Sequence, residues 1–245
     1  MAPNLQVTAI PQNQLLASLS PQQLHQFDGN LQSMRLDAGT LLYEADEIPK
    51  YAYFLEAGMA SEVAVTKAGL SLEVAVTGKE GVVGVPGLLQ YNASATRCMM
   101  QLSGHGSRIR ADRLILAIEQ DGLRNIFHRY LQSRFIQMSQ MAICIHLHSV
   151  EERLARWLAT SADYSESNHF ELTHEFLSLM LGARRSTVTL AAGVLHSAGL
   201  IDYRRGKIDI VNRPGLEEAA CECYLLLRQE RSNFIQSPAE FMLSR

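Results

Sequence analysis

Between Arg124 and His148 the chain runs for 25 residues with neither glycine nor proline. Within that stretch Phe127, Leu131, Met138, Met141 and Ile145 recur at steps alternating between three and four, interrupted only by Arg134. This spacing predicts one long helix with a single apolar stripe. Such a stripe outruns what one small domain can cover, so a partner helix is implied. The alternative is a plain amphipathic helix lying on its own barrel. A length of 245 residues leaves room for about one domain on either side of the helix.

On the N-terminal side, residues 12 to 28 read as short helices. Ser20 is a capping residue followed by Pro21 in the first turn, and Leu15, Leu16, Leu19, Leu24 and Phe27 recur at helical spacing. From Leu31 to about Ala111 the period falls to two. Tyr51, Tyr53 and Leu55 alternate with Ala52 and Phe54, and Gly58 is expected to end that run. Glu62–Thr66 and Leu70–Thr77 follow as strands around a Lys67-Ala68-Gly69 turn. Many short strands punctuated by glycine suggest a small β-barrel or jelly roll, and a generic β-sandwich stays open on pattern alone.

On the C-terminal side, Ser149 caps a helix through Val150–Leu158 whose first turn is acidic, and the polar run Ser161–Asn168 is expected to be a loop. Thr173 is an N-cap, Glu175 suits a first turn, and Leu172 can staple against Leu177. This helix stops at Gly182. A second begins near Arg184–Ser186 and continues to Ser197-Ala198-Gly199, so that two short helices flank a glycine-centred turn. Val188, Ala191, Ala192 and Leu195 share one face and should point inward. Arg184, Arg185, Ser186, Thr187 and Thr189 then lie near the exposed N-terminal end of the second helix, where recognition helices meet base edges. Leu200–Tyr203 and Ile208–Val211 flank Arg204-Arg205-Gly206-Lys207 as a basic hairpin.

The whole chain carries a formal charge of -3, so nothing global advertises a polyanionic partner. Locally the balance reverses: Arg184, Arg185, Arg204, Arg205 and Lys207 against Asp202 make a net of +4. This is the footprint expected for phosphate contact, with a solvated basic hairpin beside a structural helix pair as the bland alternative.

These segments resemble the Crp/Fnr family of bacterial transcription regulators along nearly the whole length. The resemblance is carried by NQLLASL near the start, YAYFLEAGMASEV and GKEGVVGVPGLL in the strand-rich part, SVEERLARWL after the long helix, and LTHEFLSLMLGARRSTVTLAAGVLHSAGLIDYRRGKIDI at the end. It implies an α+β architecture with a cyclic-nucleotide-binding-like sensor domain in 1–122, a dimerisation helix in 123–149 and a winged helix-turn-helix in 150–245. It further implies a homodimer in the cytoplasm, a near-palindromic operator on double-stranded DNA and RNA polymerase as a partner. Arg185 matches an arginine that reads guanine in the family, while Ser186 and Leu190 stand where members carry a glutamate and a second arginine.

The effector half of the pattern is missing. Gly84 is followed by Val85 where cyclic-AMP binders have glutamate, and a valine cannot accept a hydrogen bond from a ribose hydroxyl. Ala93 lies close to where the family arginine is expected, and the nearest cation, Arg97, comes a few positions late and is the candidate for some other effector anion. Cyclic AMP bound in the usual way is therefore not expected. Cys144 and His148 stand four apart on one helical face, yet a buried seam explains the cysteine more simply, and Cys221-x-Cys223 lacks a second pair; no metal or cofactor is expected. Four cysteines without a paired framework fit a reducing compartment. The N-terminal MAPNLQVTAIPQNQLLASL has no basic region before an apolar run, so no signal peptide is expected, and no stretch reaches the about 18 apolar residues of a membrane span. No glycine-rich phosphate loop, His-Glu-x-x-His or nucleophile elbow marks an enzyme. The rival reading is a cyclic-nucleotide-like regulatory subunit that controls a partner protein.

Overall fold

The computed structural model describes residues 11–235 except Leu70, Tyr91, Gln120, Asp121 and Glu166, and the side chain of Ser232. The first ten residues of the leader reading, and the expected strand start at Leu70, lie outside the described residues. Elements run in the order α1 (Gln14–Ala17), α2 (Pro21–Leu24), β1 (Gln32–Leu36), β2 (Leu41–Tyr43), β3 (Tyr51–Val65), β4 (Ser71–Thr77), β5 (Val82–Val83), α3 (Val85–Leu89) and β6 (Thr96–Arg110). There follow α4 (Ala111–Glu119), α5 (Leu123–Leu147), α6 (Val150–Ser165), β7 (His169–Glu171), α7 (His174–Leu181), α8 (Arg185–Ser197), β8 (Ile201–Arg204), β9 (Lys207–Ile210), α9 (Arg213–Ala219) and α10 (Cys223–Asn233). Contacts divide the chain into two compact units. One comprises 1–62, 76–136 and 230–245; the other comprises 63–75 and 137–229.

The first unit holds most of a six-stranded sheet ordered β1-β6-β3-β4, with β2 on β6 and β5 on β3. The sheet curls as a jelly roll but stays open, with β1 and β4 at the ends of the path. Gly58 does not end the strand that starts at Tyr51; β3 continues through it to Val65. The reason is local: at φ +87 glycine takes a kink that other residues resist, and a Cβ there would lie 2.7 Å from the Leu102 carbonyl oxygen. The short helices at the start form as expected. Ser20 and Gln23 close a capping box around α2 with Pro21 in its first turn. Buried Asn13 caps Leu16 and donates from Nδ2 to the Leu55 and Gly81 carbonyls, both at 2.9 Å. Their apolar faces join Phe54, Val82, Ile109, Leu114, Ile126 and Tyr130 in the core, where Phe27 meets Phe54 edge to face at 6.0 Å.

Helix α5 forms where the sequence placed it, but its seam divides. Phe127 and Met141 are buried in their own chain, 4% and 5% exposed, and do not belong to an outward stripe. Arg134 is buried as well. Its guanidinium donates to Glu62 at 2.6 Å, the Val76 carbonyl at 2.9 Å and the Thr77 hydroxyl at 3.1 Å. The outward positions are Leu131, Phe135, Met138, Ala142 and Ile145, spaced four, three, four and three. Leu131 and Ile145 are half-buried, while Phe135 is 66% and Met138 40% exposed. Two apolar stripes share this helix, and because both repeat every three to four residues they look like one in the sequence.

In the second unit α6 is the central helix. It extends to Ser165, through most of the expected 161–168 loop, because Ser161, Ala162 and Tyr164 are buried and the Ser165 hydroxyl is satisfied by the Ser161 carbonyl. Trp157, 1% exposed, packs edge to face on Phe176 at 5.9 Å and donates to Glu73 at 3.3 Å. Strand β7, α9 and α10 have no counterpart in the sequence reading. The last two are tied by Arg213, which donates to Asp163 and Glu217, both at 2.6 Å, and to the Tyr224 hydroxyl at 2.8 Å. Among the described residues no helix is long and apolar enough to cross a membrane.

Candidate nucleic-acid interface

The helix pair is built from its caps inward. The Thr173 hydroxyl accepts from the Phe176 amide at 3.1 Å, starting α7, with Glu175 in the first turn. Gly182 ends it in the left-handed conformation, φ +57, that glycine adopts without strain. Arg153 of α6 reaches the same end: Nη1 donates to the Leu181 carbonyl at 2.8 Å, where a cation also meets the negative end of the helix dipole. Two residues on, α8 begins with Arg184 as its N-cap residue. Val188, Ala191, Ala192 and Leu195 face inward, all 3% exposed or less, as their spacing implies.

The opposite face of α8 is open to solvent. Arg184, Arg185 and Ser186 are exposed in its first turn and Thr187 is half-buried. Arg185 Nη1 lies 3.8 Å from Glu175, a loose surface pair of the kind that contributes little to stability. Thr189 is exposed, but its hydroxyl is engaged, donating to the Arg185 carbonyl at 3.0 Å and meeting His174 Nδ1 at 2.9 Å. Leu190 and Val194 continue the same open face at 70% and 54% exposure. Neither is among the site residues expected from the sequence, although their successive steps of four from Ser186 are the signal that marks this face.

The wing is a three-stranded sheet, β7-β9-β8. Its tip, Arg205-Gly206, takes positive φ at both residues, 49 and 80, the requirement of the two-residue turn that matches strand twist. Arg204, Arg205 and Lys207 are exposed there. Arg204 lies 3.3 Å from Asp202 and Lys207 3.6 Å from Glu171, so part of the local positive charge is internally balanced. Among the described residues Arg184 and Arg205 make no ion pair. Two contacts fasten the wing to the helix pair: the Leu172 amide donates to the Gly206 carbonyl at 2.8 Å, and His174 stacks on Tyr203 with ring centroids 4.2 Å apart. Burial, then the charge of Arg185, hold the His174 imidazole below its ordinary range, which favours the neutral ring in this stack.

The sensor candidates sit elsewhere, within the first unit. Arg97 Nη2 is paired with Glu44 at 3.1 Å, both about two-fifths exposed. Val85 packs against the apolar core at the start of α3. Tyr43, Cys98, Glu62 and Arg134 are all buried and near enough to act electrostatically on one another.

Residues 152–219 match the family model of the Crp-like helix-turn-helix domain. The fold is that of a protein from Eubacterium rectale assigned to the Crp/Fnr transcriptional regulators, with a TM-score of 0.68 and 17% identity over 84% of this chain and 96% of that one. FixK2 from Bradyrhizobium japonicum has a TM-score of 0.64 at 15% identity, covering 78% of this chain and 98% of its own. A Crp-family transcriptional regulator from Thermus thermophilus has 0.63 at 18% identity, covering 76% and 96%. At these identities the likeness is one of fold. No curated protein sequence matches the chain.

Proposed function

We propose that this chain, with its Crp-like helix-turn-helix domain and the fold of Crp/Fnr regulators, is a sequence-specific DNA-binding transcription regulator. It acts in the cytoplasm as a homodimer on a near-palindromic operator, with RNA polymerase as a partner, and catalyses no reaction. The observation that carries this reading is the open first turn of α8, bearing Arg184, Arg185 and Ser186, beside a basic wing tip held by His174 and Tyr203. Arg204, Arg205 and Lys207 are long cations on a turn, suited to phosphates, which position the protein. Arg185 lies where its fork can pair with guanine O6 and N7, which reads sequence. Leu190 and Val194 offer apolar contact to thymine methyl groups, so Leu190, where relatives carry an arginine, changes the preferred base.

The exposed stripe of α5, with Phe135 and Met138 open to solvent, supports dimerisation through that helix. Two such helices across a two-fold axis set half-sites about 34 Å apart. The jelly roll serves as the sensor but does not take cyclic AMP in the family manner. Val85 is used in apolar packing, Arg97 already has a carboxylate, and the Arg134–Glu62 pair occupies buried polar ground.

Footprints on a library of sites test the reading. Lys207→Ala is expected to weaken binding to all sequences alike and lower the salt slope by about one unit. Arg185→Ala is expected to cost about 1–3 kcal/mol on the selected site and to relax one base pair per half-site. An equal loss on every sequence would show that Arg185 only holds backbone, and absence of binding to any fragment would favour the regulatory-subunit reading.

A further inference from the structure

Four side chains that the DNA interface does not use converge inside the second unit. Cys144 lies near the end of α5 and His148 one turn further on; Cys221 precedes α10 and Cys223 is its first residue. The two halves are 77 residues apart in the chain, yet Cys144 Sγ and Cys221 Sγ are 3.5 Å apart. Cys223 Sγ and His148 Nδ1 are also 3.5 Å apart, and one donor atom from each of the four falls within 4.8 Å of all the others. Along the chain Cys221 and Cys223 have no second pair; the fold supplies Cys144 and His148.

We infer that Cys144, His148, Cys221 and Cys223 bind one zinc ion in a closed tetrahedral site. A tetrahedron with Zn–S of about 2.3 Å and Zn–N of about 2.0 Å puts neighbouring donors roughly 3.5–3.8 Å apart, close to the two measured separations. Three thiols and one imidazole are a donor set that selects zinc among the common divalent ions. An iron–sulfur cluster places iron and sulfide between its protein ligands, which need more room than donors sharing a single ion. Four protein ligands leave no open position, so the ion is structural, joining the start of α10 to the end of α5.

The surroundings fit an occupied site. His148 turns Nδ1 toward the thiols and Nε2 toward Glu222, 3.3 Å away, the carboxylate partner that commonly orients a ligating imidazole. Gln140 Nε2 donates to Cys223 Sγ at 3.1 Å, a bond that suits a thiolate. Three thiolates on a divalent ion leave a net charge of -1. The Arg156 guanidinium, 4% exposed, supplies a nearby positive charge, acting on both Cys144 and Cys221. Its Nε has no hydrogen-bond partner among the described residues, so a buried cation otherwise lacking full compensation gains one. All three cysteines are buried, at 4% exposure or less, which protects the bound ion from exchange.

The full-length protein, purified without chelator, is expected to contain one zinc per chain by plasma mass spectrometry. Loading with cobalt in its place should give the visible bands of a tetrahedral thiolate complex. Cys223→Ser and His148→Ala should each lower zinc retention during dialysis against a competing chelator by at least tenfold. Should a variant fail to fold, release of zinc from the wild type by a thiol-specific mercurial, followed with a metal-sensitive dye, reports the same site. Stoichiometric iron, or no metal in protein whose four thiols are reduced, overturns the proposal. So does a Cys144–Cys221 disulfide in protein that takes up no zinc after reduction.

Discussion

The buried Arg134–Glu62 pair gives the sharpest energetic test of the first unit. The two side chains are 10% and 9% exposed, and Arg134 also satisfies the Val76 carbonyl and the Thr77 hydroxyl. Replacing Arg134 by methionine keeps most of the volume but leaves the Glu62 carboxylate in a buried site without its cation. Breaking one partner of such a pair costs about 3–5 kcal/mol. Glu62→Leu is expected to cost a similar amount, since a guanidinium is then stranded. The double variant removes both charges and restores apolar packing. It retains only the loss of two neutral acceptors, about 1 kcal/mol each, and should stand within about 2 kcal/mol of the wild type. The cycle therefore predicts a coupling of at least about 4 kcal/mol, with the double variant more stable than either single one. Urea unfolding followed by far-UV circular dichroism measures it. Fluorescence of Trp157, the single tryptophan, reports the other unit separately. A loss below about 1 kcal/mol for Arg134→Met, or additive single losses, would refute the claim that this pair is charged and desolvated in the folded protein.

Three further outcomes are expected. Phe135→Glu combined with Met138→Glu sets like charges across the proposed helix pair and should give a monomer in sedimentation velocity, whereas Met141→Glu should destabilise the chain itself; a dimeric double variant would misplace the interface. Arg205→Gly relieves a left-handed arginine, φ 49, and should raise stability by up to about 1 kcal/mol while weakening DNA binding and lowering its salt slope; a fall in stability would mean the turn is not strained. For His174, a folded pKa below the ordinary 6.5 means that the unfolded chain takes up the proton first. Its contribution to stability is full above 6.5 and is lost as pH falls through the folded value. An NMR titration midpoint below 6.5 that rises on Tyr203→Ala checks this, and a midpoint above 6.5 would contradict it.

Features settled within one or two turns of chain were legible from the residues alone. Thr173 and Ser20 as caps, Gly182 as a stop, the inward set Val188–Leu195 and the Arg205-Gly206 turn each follow from spacings of four or less, where local sterics and hydrogen bonds decide the outcome. The open α8 face that carries Arg184, Arg185 and Ser186 was legible for the same reason. Tertiary structure decided whatever depended on a partner far along the chain. Period alone cannot say which of two apolar stripes on α5 turns inward, because both repeat every three to four residues and only the packing chooses between them. Gly58 reads as a break until the neighbouring strand shows that a kink is what fits there. Arg134 looks like a flaw in a seam until Glu62, 72 positions earlier, is brought beside it. Cys144 and His148 meet Cys221 and Cys223 only because α5 and α10 come together, and no local spacing encodes a contact that chain topology creates.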